Sequence, residues 1–181
     1  MTDFVLVTGN DDKHREAQRI LGRTLARERL DLPEIQAATT AEVALQKARA
    51  AFAILRRPVI IEDAGVELEA FGTFPGPFIK YWETLGGLIS IISICRALDG
   101  PRQRGAVAVC VLGVCTADGS FVVEGRTKGT IAESPRGTQG FGWDAIFVPE
   151  GEARTFGEMA AAEKDAVSHR RRAWEQLAQT L

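Results

Sequence analysis

The sequence predicts an α/β fold: a mixed β-sheet with helices packed around it and a cleft between two lobes. Buried strand-like runs alternate with stretches of helical spacing in the first half of the chain. An Asp-Gly pair separates two β-rich runs in the second half. The composition can supply a core, with 45% hydrophobic and 25% charged residues in a chain of 181. That length is one domain's worth, and residues 1–181 are read as a single domain. Disordered, collagenous and coiled-coil chains are excluded by the same figures.

Phe4-Val5-Leu6-Val7 reads as a short buried strand, followed by the turn Thr8-Gly9-Asn10. Ala17, Ile20, Leu21 and Leu25 then recur at helical spacing. A second helix is expected from about Thr40, with Leu45, Ala48, Phe52 and Leu55 on one face and Pro58 as its stop. Val59-Ile60-Ile61 reads as a buried strand ending in Glu62-Asp63. Leu88, Ile91, Ile92, Cys95 and Leu98 suit a helix despite the β-branched residues. The apolar run Ala106–Cys115 and the stretch Phe121-Val122-Val123 flank Asp118-Gly119 as a hairpin. A last helix places Ala173, Trp174, Leu177, Ala178 and Leu181 on one face.

Twenty-two Lys and Arg against 24 Asp and Glu give a formal charge of −2, so no polyanion-coating surface is expected and no nucleic-acid polymer is a partner. The three cysteines, Cys95, Cys110 and Cys115, form no metal-ligand spacing and read as buried thiols of a cytoplasmic protein. Met1-Thr2-Asp3 leads straight into a strand without the layout of a signal peptide. No uncharged apolar stretch approaches the roughly 18 residues of a membrane span.

Four motifs carry residues that packing alone does not require. Thr8-Gly9-Asn10-Asp11-Asp12-Lys13 links a strand to a helix, where backbone N–H groups and the helix dipole favour an anion and Lys13 adds a charge. The same residues are equally a turn in which Asn10 caps the helix, with His14 solvated. Glu62-Asp63 follows a buried strand, where a carboxylate needs a partner and Mg²⁺ would supply one through oxygen ligands. Glu34 in Leu32-Pro33-Glu34 is a candidate second ligand; alternatively one acid of the pair faces solvent and the other caps a turn. Gly140-Phe141-Gly142-Trp143-Asp144 could stack and hydrogen-bond a purine, or plug the core with its aromatics. Lys164 to Arg170, read at the start of the last helix, places cations where the dipole is already positive, so it is an anion site or a solvated basic face.

Taken in order, the stretches TGNDDK (8–13), DLPE (31–34), IEDAGVELEAFGTFPGPFIKYW (61–82), GFGWDAIFVPEG (140–151) and EKDAVSHRRRA (163–173) resemble the inosine triphosphate pyrophosphatase family over nearly the whole chain, in its eukaryotic-type wording. The resemblance implies an elongated α/β fold with a long central sheet, two lobes and a deep substrate cleft. It implies hydrolysis of non-canonical purine nucleoside triphosphates (ITP, dITP, XTP) to the monophosphate and pyrophosphate, a homodimer, and dependence on Mg²⁺ with Mn²⁺ as a substitute. By motif match, Thr8, Gly9, Asn10 and Lys13 hold the triphosphate, and Lys47 and Lys80 join the substrate site. Phe141, Gly142, Trp143, Asp144, Lys164, His169 and Arg170 fall on base- and phosphate-binding positions. Glu34 and Asp63 serve the metal, and Asp63 and Lys13 are the catalytic pair.

Ala64 stands where the family usually has Thr or Ser, and the missing hydroxyl would cost about 1–2 kcal/mol if it served one neutral hydrogen bond. Asp12 stands where a second lysine is frequent. Two other readings keep the same fold: a nucleotide-sensing module with little turnover, and a pyrophosphatase for other modified nucleotides.

Overall fold

A computed structural model describes residues 4–84, 88–100 and 103–181. The reading of Met1–Asp3 and the side chain of Leu88 lie outside the described residues. The sheet has seven strands in the order β2-β1-β3-β5-β6-β7, with β4 paired to β3. It mixes parallel pairs, β1 with β2 and with β3, and antiparallel pairs, β3 with β4 and β6 with β7. These strands are β1 (Val5–Val7), β2 (Ala26–Glu28), β3 (Val59–Leu68), β4 (Pro75–Gly76), β5 (Gly105–Thr116), β6 (Gly119–Ile131) and β7 (Phe147–Pro149). The fold is α/β, as the alternation of elements predicts.

Contacts divide the chain into two compact units. The first takes the chain through Ala64, then Cys110–Gly125 and His169–Leu181. Its helices are α1 (Asp11–Leu21), α2 (Thr40–Leu55) and α6 (His169–Thr180). Strand alternation makes two apolar layers here. Leu6 and Ile60 point to one cluster, with Ala17 of α1 and Ala173, Trp174 and Leu177 of α6. Val5, Val7, Val59 and Ile61 point to the other, with Ala48 and Ala51 of α2. Gly113 of β5 has no room for a side chain, since a Cβ there would lie 2.4 Å from the carbonyl oxygen of Ala44 in α2.

The second unit is Gly65–Val109 and Arg126–Ser168. It holds α3 (Ile79–Thr84), α4 (Leu88–Ala97) and α5 (Ala161–Val167), with 3₁₀ turns at Glu69–Phe71, Gly142–Ala145 and Phe156–Glu158. Val66, Leu68, Ile94, Ile131, Phe147 and Phe156 anchor its apolar cluster.

Several local expectations change. Helix α1 stops at Leu21 because Gly22 takes the left-handed conformation (φ 63°), so Leu25 is buried from the loop before β2, a strand absent from the expected list. Strand β3 does not end at Glu62-Asp63 but continues to Leu68. The buried face of α2 is Val43, Ala44, Ala48 and Ala51, with Leu45, Phe52 and Leu55 half-buried. The single last helix is two, broken at the extended Ser168, so Lys164 lies in the last turn of α5 rather than at an N-terminus. Ala178 and Leu181 of the final stretch are exposed. His14 is not solvated: it is half-buried, and its Nε2 lies 2.8 Å from the carbonyl oxygen of Leu25.

Candidate active site

Strand β1 delivers the chain into Thr8-Gly9-Asn10, where the Asn10 N–H donates to Thr8 Oγ1 at 3.1 Å. Asn10 Oδ1 accepts from the N–H groups of Asp12 (2.9 Å) and Lys13 (3.0 Å). The capping oxygen therefore uses two of the helix N–H groups expected to face an anion, leaving the Lys13 ammonium as the charged donor at this turn. Asp11 is engaged by Arg27 and Arg29, each 2.6 Å from Oδ1. The hydrogen bond from Arg27 and the charge of Arg29 hold its carboxyl below the usual aspartate value.

Lys13 reaches from α1 to β3. Its Nζ donates to the Glu62 carbonyl at 3.1 Å and lies 3.9 Å from Glu62 Oε1. The Glu62 carboxylate is wholly buried, accepts from Arg170 Nε at 2.9 Å and from Trp174 Nε1 at 3.1 Å. Arg170 also donates through Nη1 to Glu16 Oε2. Burial alone would lower the pKa of this guanidinium, but the adjacent Glu62 and Glu16 carboxylates outweigh it and raise the pKa above the ordinary arginine value. His169, buried, begins α6 beside it.

The next residue of β3 belongs to a second charge cluster. Lys47 Nζ lies 2.9 Å from Glu34 Oε2 and 3.0 Å from Asp63 Oδ2. Desolvation disfavours the Lys47 charge, yet Asp63 and Glu34 more than offset it, so its pKa lies above the ordinary lysine value. Helical periodicity alone would leave Lys47 on a solvated face, but the structure buries much of it. The signal was present in the chain, because position 47 lies four residues from both Val43 and Ala51 on the buried side of α2.

Glu34 and Asp63 offer a hard cation two carboxylates converging on one point, where the Lys47 ammonium now sits. Mg²⁺ is commonly held by one or two carboxylates completed by waters and substrate phosphates, so this donor set fits it. Among the described residues no group of three or more His, Cys, Asp or Glu could hold a metal by itself. Ala64 follows Asp63, half-buried and without a hydroxyl.

In the second unit, Lys164 Nζ donates to Asp144 Oδ2 at 2.6 Å, both side chains being almost fully buried. The same oxygen accepts from the Phe141 N–H at 2.8 Å. The ammonium lies 5.0 Å from the Phe141 ring centroid and 5.7 Å from that of Phe156. Trp143 is a core residue, edge-on to Phe147 at 5.6 Å, while Gly142 is exposed in the left-handed region (φ 59°) and Phe141 is half-buried. Lys80 stands exposed on α3.

The structure thus gathers Lys13 with Arg170, and Glu34 with Lys47 and Asp63, in the first unit. It gathers Phe141, Asp144 and Lys164 in the second. Glu16 is the participant that sequence reasoning did not assign, while Glu62, read with Asp63 as a carboxylate in need of a partner, is buried against Arg170 and Trp174 rather than facing solvent or capping a turn. The spacing of Glu16, three residues after Lys13 and beside the buried Ala17, is the one local hint of its place.

A model of the Ham1 family matches residues 4–180. The chain is 41% identical over 180 residues to a dITP/XTP pyrophosphatase of Methanopyrus kandleri, covering 97% of this chain and 94% of that relative. It is 43% identical over 175 residues to inosine triphosphate pyrophosphatase 2 of Trypanosoma cruzi, covering 93% and 86%. The solved structure of a HAM1 protein from Coxiella burnetii superposes with a TM-score of 0.82 at 30% identity, covering 98% and 96%.

Proposed function

The chain belongs to the Ham1 family, and from that premise we propose that it is a nucleoside triphosphate pyrophosphatase that hydrolyses ITP, dITP and XTP to the monophosphate and pyrophosphate. The observation that carries the reading is the Glu34–Lys47–Asp63 cluster, one residue along β3 from the Glu62 anchor of Lys13. It sets a carboxylate pair for a cation beside two lysines for phosphate.

Water attacks the α-phosphorus and pyrophosphate leaves. Lys13, with Thr8, Gly9 and Asn10, binds the phosphates and stabilises the charge that develops on the leaving group. Asp63 orients the water and accepts its proton, and Lys47 joins the substrate site. Glu34 and Asp63 would hold Mg²⁺, or Mn²⁺ in its stead, which when bound neutralises phosphate charge as a Lewis acid. Lys80 and Lys164 add positive charge for the triphosphate; Phe141, Gly142, Trp143 and Asp144 take the roles at the base that their motif carries. No covalent intermediate is required.

Selectivity rests on the purine 6-position, an acceptor in hypoxanthine and xanthine and a donor in adenine. The donors for a 6-oxo group are His169, Arg170 or a backbone N–H beside them, at the start of α6. A site built on such bonds discriminates by factors of about 10⁴. Release of pyrophosphate from ITP, dITP, XTP, dUTP, ATP and GTP, with and without Mg²⁺, tests the reading. ITP and XTP are expected to lead, and equal rates with ATP overturn this account of selectivity. Ala64 favours one other reading, a nucleotide sensor, which predicts tight ITP binding with no pyrophosphate release at millimolar Mg²⁺.

The working form is a cytoplasmic homodimer. Exposed Phe71, Phe74 and Tyr81 on the second unit support a self-association surface. Among the described residues no helix is long and apolar enough to cross a membrane.

A further inference from the structure

Glu62 has no role in the reaction as described above, yet its side chain is 0% exposed and groups from two helices converge on it. Lys13 of α1 binds its carbonyl oxygen at 3.1 Å, and Arg170 and Trp174 of α6 bind its two carboxylate oxygens at 2.9 and 3.1 Å. Packing does not require such an arrangement, because a buried ion pair is often no more stable than an apolar replacement of the same volume. What Glu62 does achieve is placement: its carbonyl accepts from the Lys13 ammonium, and its buried carboxylate adds an attracting charge 3.9 Å away. A lysine has a flexible four-carbon stem, and fixing it from many rotamers opposes binding. Here the stem is already fixed, at one end of the turn formed by Thr8, Gly9 and Asn10.

The distances also show how the lysine can be released. Its ammonium is 3.9 Å from Glu62 Oε1, the longest of the contacts around that carboxylate, while Arg170 and Trp174 hold both oxygens directly. Glu62 would therefore stay compensated when the ammonium turns to a phosphate. We infer that Glu62 is a positioning residue for triphosphate recognition: it holds Lys13 ready beside the Thr8-Gly9-Asn10 turn, and Arg170 and Trp174 keep its charge satisfied when Lys13 engages the nucleotide. This rests on the pyrophosphatase reading.

The test is a double-mutant cycle on pyrophosphate release from ITP in Mg²⁺, using Glu62→Gln, Lys13→Met and the double variant. Glu62→Gln is expected to lower kcat/KM about tenfold, mainly through KM, and to have less than about a twofold further effect when Lys13 is already Met. An equal fold-loss in both backgrounds overturns the inference, since a purely structural role does not depend on Lys13. Should Glu62→Gln fail to fold, Trp174→Phe removes one hydrogen bond to the carboxylate while keeping a ring in the core. It is expected to lose about threefold in the wild-type background and nothing more beside Lys13→Met; again equal losses overturn the inference. A wild-type protein that releases no pyrophosphate from ITP instead refutes the functional reading itself.

Discussion

Arg170 is 3% exposed at its side chain and is the cation between two carboxylates, Glu16 and Glu62, the second of which is wholly buried. Removing it leaves that negative charge buried without its strongest partner. Arg170→Leu is expected to destabilise the fold by about 3–5 kcal/mol, measured by urea denaturation. Cys110 makes a different demand on the same region. Burial, then the nearby Glu62 charge, pushes its thiol well above the ordinary cysteine value. An unfolded cysteine ionises near pH 8.5, so the folded state binds the proton more tightly and this contribution to stability is complete below that pH and lost as pH rises above it. Stability should fall as pH rises above about 8.5, and fall less in Cys110→Ala; equal slopes would refute the assignment. Both residues could be read as special from their types, but neither partner set could be read from the chain, because Glu62 and Arg170 meet across 108 positions.

At the scale of elements, the helix starts were the most legible features. Asn10 caps α1, and Thr39 with Glu42 forms a capping box on α2, both short-range patterns of donors and acceptors. Helix ends were less so: Gly22 closes α1 early, and Ser168 breaks what periodicity read as one helix. Packing between elements depends on where side chains are missing. The backbone of α2 lies so close to β5 that a Cβ on Gly113 would meet the carbonyl oxygen of Ala44 at 2.4 Å. A carbonyl cannot rotate away as a side-chain tip can. Gly113→Ala is therefore expected to cost about 1–3 kcal/mol, seen as a lowered melting temperature, although alanine is otherwise a mild substitution.

At the scale of the whole molecule, stability and the proposed metal requirement separate. Each unit has its own apolar clusters, and among the described residues no three-ligand group could act as a structural metal site. Chelation by EDTA is expected to abolish pyrophosphate release, with recovery on adding Mg²⁺, while the thermal melt stays within about 2 °C of the untreated protein. A large loss of melting temperature on chelation would show that the metal is part of the fold.

The α/β class, the longer strands and helices and the five motifs were legible in the sequence by itself, because caps, turns and hydrophobic spacing act over a few residues; the short β2, β4 and β7, helix α3 and the break at Ser168 were not. Its motifs were enough to place the chain with pyrophosphatases. What the tertiary structure alone decided was the partnership of charges: Lys47 drawn between Glu34 and Asp63, Lys13 tied to Glu62, and Asp144 locked to Lys164. Coulombic attraction and desolvation depend on distance in space and on the surrounding dielectric, and both arise only once β3, the helices and their loops have packed.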